Sequence, residues 1–139
     1  MPSISTVIEE QKTTIQVKNK EITLLVAEDE EYNMMYIVEL FSTTNFKIME
    51  ANNGKKAVEL AQNHPEIQLV LMDIKMPVMD GNEAMAEIKK LRPSLPVIAL
   101  SAFAMESDKE KAMALGFDAY LTKPLDRKLL FQLIDKFSK

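Results

Sequence analysis

Ile67-Gln68-Leu69-Val70-Leu71-Met72 runs directly into Asp73-Ile74-Lys75-Met76-Pro77-Val78-Met79-Asp80-Gly81. The first six residues are aliphatic enough to be buried on both faces, as strands of parallel sheets are. The next nine close with Asp80-Gly81, a turn pair. An aspartate at the end of such a strand points into the crevice where open α/β sheets hold ligands. Asp73 is therefore the first candidate functional residue, and the chain around it is read outward from there.

Two further apolar strands end in charged residues. Ile22-Thr23-Leu24-Leu25-Val26-Ala27 is followed by Glu28-Asp29, and Ala119-Tyr120-Leu121-Thr122 by Lys123-Pro124. Between these landmarks strands alternate with helices. Strands are predicted over about 22–27, 46–51, 67–72, 97–100 and 118–121. Helices are predicted over about 30–43, 54–63, 82–91 and 105–115, with a last one from the N-cap Asp126 almost to the end. Met34, Ile37, Val38 and Phe41 form the inward stripe of the first helix; Leu129, Leu130, Leu133, Ile134 and Phe137 form that of the last. Asn53 reads as an N-cap and Gly116 as a left-handed C-cap. Five β-α units in series predict an α/β fold, a parallel sheet with helices on both faces. Residues 1–20 are polar and lack a helical period, so they read as a flexible arm or linker, with a short strand at Ile15-Gln16-Val17 as the alternative; residues 21–139 read as one domain.

Composition narrows the function. With 47% hydrophobic and 27% charged residues the chain is an ordinary globular protein. It has no cysteine, which excludes disulfides and thiolate metal sites. A net charge of −4 argues against a nucleic-acid partner. No apolar run approaches the ~20 residues that span a bilayer, so no membrane contact is expected of this domain. The first residues have neither a basic nor an apolar region, so no signal peptide is expected.

The charged strand ends then carry the chemistry. Glu28 and Asp29 could simply be acids placed favourably at a helix N-terminus. With Asp73 beside them they would instead make a divalent cation site, since magnesium prefers carboxylate, carbonyl and water oxygens. Three clustered acids repel each other and raise their pKa values, which a bound cation would relieve. Lys123 could be an ordinary surface lysine, but its strand-end position lets it pair with a phosphoryl group. Ser101 could be a loop serine, or a hydroxyl donor to a phosphoryl oxygen. His64, the single histidine, offers no catalytic dyad and no metal pair, and the ten methionines read mostly as core filler.

Taken together, Glu28-Asp29, Asp73 through Gly81, Ser101-Ala102, Tyr120 and Lys123-Pro124 resemble the receiver domain of two-component response regulators over about 21–139. The resemblance implies a flavodoxin-like doubly wound sheet of strand order 2-1-3-4-5 with five helices. It implies that Asp73 accepts a phosphoryl group from a phosphohistidine, and that Asp29, Asp73 and the Lys75 backbone carbonyl bind magnesium, with manganese as an alternative. Glu28 would act through water and Lys123 on the phosphoryl group. Ser101 and Tyr120 match the switch pair, and Lys123-Pro124 the family's cis bond. In this fold Lys75 and Phe103 would flank access to the phosphoryl group and slow its hydrolysis, the simpler alternative being that Phe103 packs on the fourth helix. Glu28-Asp29, in place of two aspartates, and Asn33 look like the variant of receivers attached to hybrid histidine kinases.

The expected function is a phosphoacceptor signalling module: no enzyme in itself beyond assisting its own phosphorylation and dephosphorylation, in a parent that would be a histidine kinase. The partner is a histidine kinase or histidine phosphotransfer domain. The domain is expected to be a monomer or weak dimer, cytoplasmic or in the cytoplasmic part of a membrane-bound sensor kinase. A stand-alone single-domain regulator is the alternative context. An aspartate-nucleophile phosphatase would need a second acid where Lys75 stands, and a flavodoxin-like cofactor binder would need a phosphate-cradling loop where Glu28-Asp29-Glu30-Glu31 stands. A degenerate receiver serving only as a scaffold is disfavoured by the intact site.

Overall fold

The computed structural model describes residues 20–138. Five β-α units follow one another: β1 Thr23–Ala27, α1 Glu31–Leu40, β2 Lys47–Ala51, α2 Gly54–Asn63, β3 Ile67–Asp73, α3 Gly81–Leu91, β4 Val97–Ser101, α4 Glu106–Leu115, β5 Ala119–Thr122 and α5 Arg127–Phe137. The sheet order is β2-β1-β3-β4-β5, and every pairing is parallel. This is the expected doubly wound architecture. All of the arm except Lys20, including the short strand at Ile15-Gln16-Val17, lies outside the described residues. Lys20, the arm's last residue, donates to Asp135 Oδ1 at 2.8 Å.

Strand alternation divides the core into two layers. Leu24 and Val26 of β1 face one side, with Leu69, Leu71, Ile98 and Leu100. That side is closed by α1 and α5 through Met34, Ile37, Phe41, Leu130, Phe131 and Ile134. Leu25 and Ala27 face the other side, with Val70, Met72, Val97 and Ala99. There α2, α3 and α4 contribute Ala57, Ala61, Ala84, Met85, Ile88 and Ala112. The central strands are buried on both faces, which is why they read as unbroken apolar runs.

Some expected details differ. The inward face of α5 is turned: Leu129 is exposed, and Phe131 is buried in its place. Phe131 stacks on Phe41, which stacks on Phe46, so an aromatic cluster sets the helix rotation. Helix α1 stops at Leu40 with Phe41 as its C-cap, short of residue 43, and Thr44 Oγ1 donates to the Phe41 carbonyl. His64 lies just past α2 as its C-cap and pairs with Glu66. The described methionines are mostly core, as expected: Met34, Met72, Met76 and Met85 are buried and Met49 and Met79 pack against the core, while Met35, Met105 and Met113 are exposed.

The helix starts matter for the site. Glu30, Asn53, Asp80 and Asp126 each accept backbone N–H groups as N-caps. Helix α4 has no side-chain cap; its N-cap is Met105, and Ala112 is its only buried residue. It buries the fewest residues of the five helices.

Candidate functional site

Parallel strands bring their C-terminal ends to one edge. Asp73 closes β3 and lies in register beside Leu100; Ser101 closes β4 beside Thr122. Glu28 follows β1, and its N–H donates to the Ala51 carbonyl at 3.0 Å. Lys123 follows β5, and its N–H donates to the Ser101 carbonyl at 2.7 Å. The Lys123-Pro124 bond is cis.

Glu28 (1% exposed), Asp73 (6%) and Ser101 (6%) are the buried polar residues of the core. Asp29 is exposed. Carboxylate oxygens of Glu28, Asp29 and Asp73 lie within 4.8 Å of one another. The donors are hard oxygens, and the cluster opens to solvent through Asp29. Such a set suits magnesium or manganese and offers nothing to a soft metal.

The positive charge in this cluster is Lys123. Its Nζ donates to Glu28 Oε1 at 2.5 Å and lies 3.3 Å from Asp73 Oδ2. The sequence assigned Lys123 to a phosphoryl group alone and did not anticipate that it bridges two of the acids. The electrostatics follow. Burial, then hydrogen bonding to Glu28 and its charge, push the Asp73 carboxyl up from 3.8 to about 7, against the pull of Lys123. Burial also opposes the charge on Glu28. There the hydrogen bonds from Lys123, Asp73 and the Glu30 N–H win, and Glu28 is held below the usual carboxylate range. Lys123 loses hydration, but its two acidic partners raise its pKa.

Backbone geometry around Asp73 is tight. Gly81 N–H donates to the Ile74 carbonyl at 2.7 Å. A Cβ on Gly81 would stand 2.2 Å from the Asp73 carbonyl oxygen, so only glycine lets α3 begin there. Val78 has φ +69°, and Met79 N–H donates to the Pro77 carbonyl at 2.7 Å across it, a strained γ-turn. That turn aims the Met79 carbonyl at the Gly54 N–H. Neither constraint was read from the sequence, although Met-Pro-Val-Met-Asp-Gly marks the place.

The switch candidates are linked. The Phe103 N–H donates to Ser101 Oγ at 3.1 Å, and Tyr120 OH donates to the Phe103 carbonyl at 2.5 Å. Tyr120 is already half-buried against the core. The Lys75 ammonium stands over the Phe103 ring, 4.3 Å from its centroid. Phe103 is 49% exposed and shares its cavity with Ala112 and Leu115 of α4. Asp73, Lys75, Ser101, Phe103, Tyr120 and Lys123 line one cavity of about 430 Å³. Thus every site residue read from the sequence except Glu28 and Asp29 borders it.

A family profile described as response regulator receiver domain matches residues 24–135. Hybrid signal transduction histidine kinase I of Dictyostelium discoideum is 37% identical over 120 residues, which is 81% of this chain but 7% of that kinase. The receiver domain of sensor histidine kinase PA1611 from Pseudomonas aeruginosa, solved with magnesium coordinated in its active-site cleft, is 28% identical with a TM-score of 0.77. The match covers 85% of this chain and 98% of that one. The co-crystal structure of the Saccharomyces cerevisiae histidine phosphotransfer protein Ypd1 with the Ssk1 receiver domain also matches, at 26% identity and a TM-score of 0.78. It covers 85% of this chain and 89% of the other.

Proposed function

The chain belongs to the response regulator receiver domain family, and from that premise we propose that Asp73 is its phosphoacceptor and a phosphohistidine protein its donor. The observation that carries this reading is the buried Asp73 carboxylate at the end of β3, clustered with Glu28 and Asp29 and 3.3 Å from an ammonium. The donor is a histidine kinase or a histidine phosphotransfer domain, and the parent protein is a hybrid histidine kinase. The relatives above support both. The domain acts in the cytoplasm as a monomer or weak dimer; among the described residues no helix is long and apolar enough to cross a membrane.

The donor docks over the crevice, and the exposed Tyr32 and Met35 of α1 offer it apolar ground. An Asp73 oxygen attacks phosphorus as the bond to the histidine nitrogen breaks, and that electron pair returns to the imidazole. Asp29, Asp73 and the Lys75 carbonyl would hold magnesium, Glu28 through water. The ion would neutralise charge on the transferring group. Lys123, already against Asp73, is positioned to pair with a phosphoryl oxygen.

The switch follows from the hydrogen-bond chain. Ser101 Oγ accepts from Phe103 and still has its own proton to give. Donating that proton to a phosphoryl oxygen draws Ser101 toward Asp73. Phe103 must follow, and its carbonyl holds Tyr120. Helix α4, without a side-chain bond at its N-cap and weakly buried, is the element these shifts can move. The Lys75–Phe103 pair covers the access route and slows hydrolysis, which suits relay to or from a histidine. Transfer from a phosphorylated histidine phosphotransfer protein, followed by radiolabel on a gel, tests the reading. Label should move to the wild-type chain and not to Asp73→Asn. Transfer to both would refute it.

A further inference from the structure

The cavity beside Asp73 contains an atom that the reactions above leave unused. Asn82 is the second residue of α3, and the close approach of Gly81 to the Asp73 carbonyl brings it to the cavity wall. Its Oδ1 is shielded from solvent and has no hydrogen-bond partner among the described residues. A buried acceptor without a donor is unfavourable, and in a native protein it calls for an explanation such as a water, an ion or a catalytic role. Asn82 also borders the neighbouring cavity that Asp29 lines, so it stands on both the metal side and the phosphoryl side of Lys75.

Most other polar groups of the cavity are engaged. Asp73 faces Lys123, Ser101 Oγ receives the Phe103 N–H, and Tyr120 OH is directed to the Phe103 carbonyl. Lysines only donate. Among the described side chains, the acceptors left on the wall are Asn82 Oδ1 and the Asp108 carboxylate of α4. Of these, Asn82 is on the helix that starts against the Asp73 carbonyl, whereas Asp108 is on α4, which buries only Ala112.

We propose that Asn82 holds the water that hydrolyses the phosphoryl group on Asp73. This rests on the reading of Asp73 as acceptor. The water donates one hydrogen to Asn82 Oδ1 and keeps a lone pair for phosphorus. As the new O–P bond forms, the bond from phosphorus to the Asp73 oxygen breaks and its electron pair restores the carboxylate. The water's remaining protons leave with inorganic phosphate or pass to solvent. Asn82 takes no proton; it is a positioning residue, and it sets the lifetime of the signal. Lys75 and Phe103 govern access of the water, and Asn82 governs its aim, so the two act with opposite sign.

The test uses the whole chain. Wild type, Asn82→Leu, Asn82→Asp and Asp108→Asn are loaded with a small acyl phosphate and magnesium. The donor is removed, and loss of phosphoryl mass is followed by intact mass spectrometry. Asn82→Leu should lose the group about tenfold more slowly, a modest share of what orientation contributes to a reaction. Asn82→Asp, which keeps the acceptor, should match or exceed wild type. The unphosphorylated Asn82→Leu protein should melt at or above wild type, because an apolar residue of similar shape removes the unpaired atom. Loss at the wild-type rate in Asn82→Leu would overturn the proposal. So would equal slowing in Asn82→Leu and Asn82→Asp, or slowing confined to Asp108→Asn. Failure of the wild type to load at all would instead refute the assignment of Asp73.

Discussion

Replacing Asp73 with Asn should stabilise the metal-free protein, the reverse of what most substitutions at a buried site do. Asp73 is 6% exposed, and burial followed by the hydrogen bond and charge of Glu28 raises its carboxyl to about 7. In the unfolded chain it titrates near its ordinary value, about 3.9. Between these values the folded protein binds more protons than the unfolded one. Stability from this group is therefore complete at low pH and is lost as pH rises through about 7. The full separation corresponds to about 4 kcal/mol. Glu28, shifted the opposite way, and the raised Lys123 return part of that. A net gain of about 2 kcal/mol is expected for Asp73→Asn at pH 8, roughly 6–10 °C in melting temperature. At pH 5.5 Asp73 is mostly protonated, and the gain should shrink to a fraction of that. Thermal melts in a chelator, at both pH values, give the result directly. A variant that melts at or below wild type at pH 8, or that keeps the wild-type slope between the two pH values, would refute the reasoning.

Asp29→Ala should abolish stabilisation by magnesium, measured as the difference between melts with metal and with chelator; because Asp29 is exposed, its metal-free melt should stay near wild type. The Lys75→Asn, Phe103→Glu double variant removes the cation–π pair and supplies groups that orient water, so phosphoryl mass should decay several-fold faster, on the order of 3–10 times, than in wild type. Gly81→Ala would press a Cβ to 2.2 Å from the Asp73 carbonyl. It should cost at least about 2 kcal/mol in urea unfolding and lower phosphoryl uptake as well.

The fold was legible because the central strands, covered on both sides, must be apolar throughout. The caps Asn53, Asp126 and Gly116 were legible because their chemistry is local. The rotation of α5 was not: Leu129 and Phe131 both fit a helical stripe, and only the aromatic partners Phe41 and Phe46 decide between them. Within the site, strand ends brought Asp73, Ser101 and Lys123 together as expected. The Lys123–Glu28 pair was hidden because it joins residues 95 apart in sequence and depends on the reach of a longer acid. Asn82 was hidden because an asparagine after Asp-Gly reads as turn chemistry, and an unpaired atom is visible only once its surroundings are built.

The claim on which the rest depends is that Asp73 alone carries the phosphoryl group. Wild type and Asp73→Asn are incubated with a small acyl phosphate and magnesium, and intact masses are compared. The wild-type chain should gain the mass of one phosphoryl group, and the variant none. Equal labelling of the variant, or labelling of the wild type at another residue, would contradict the account.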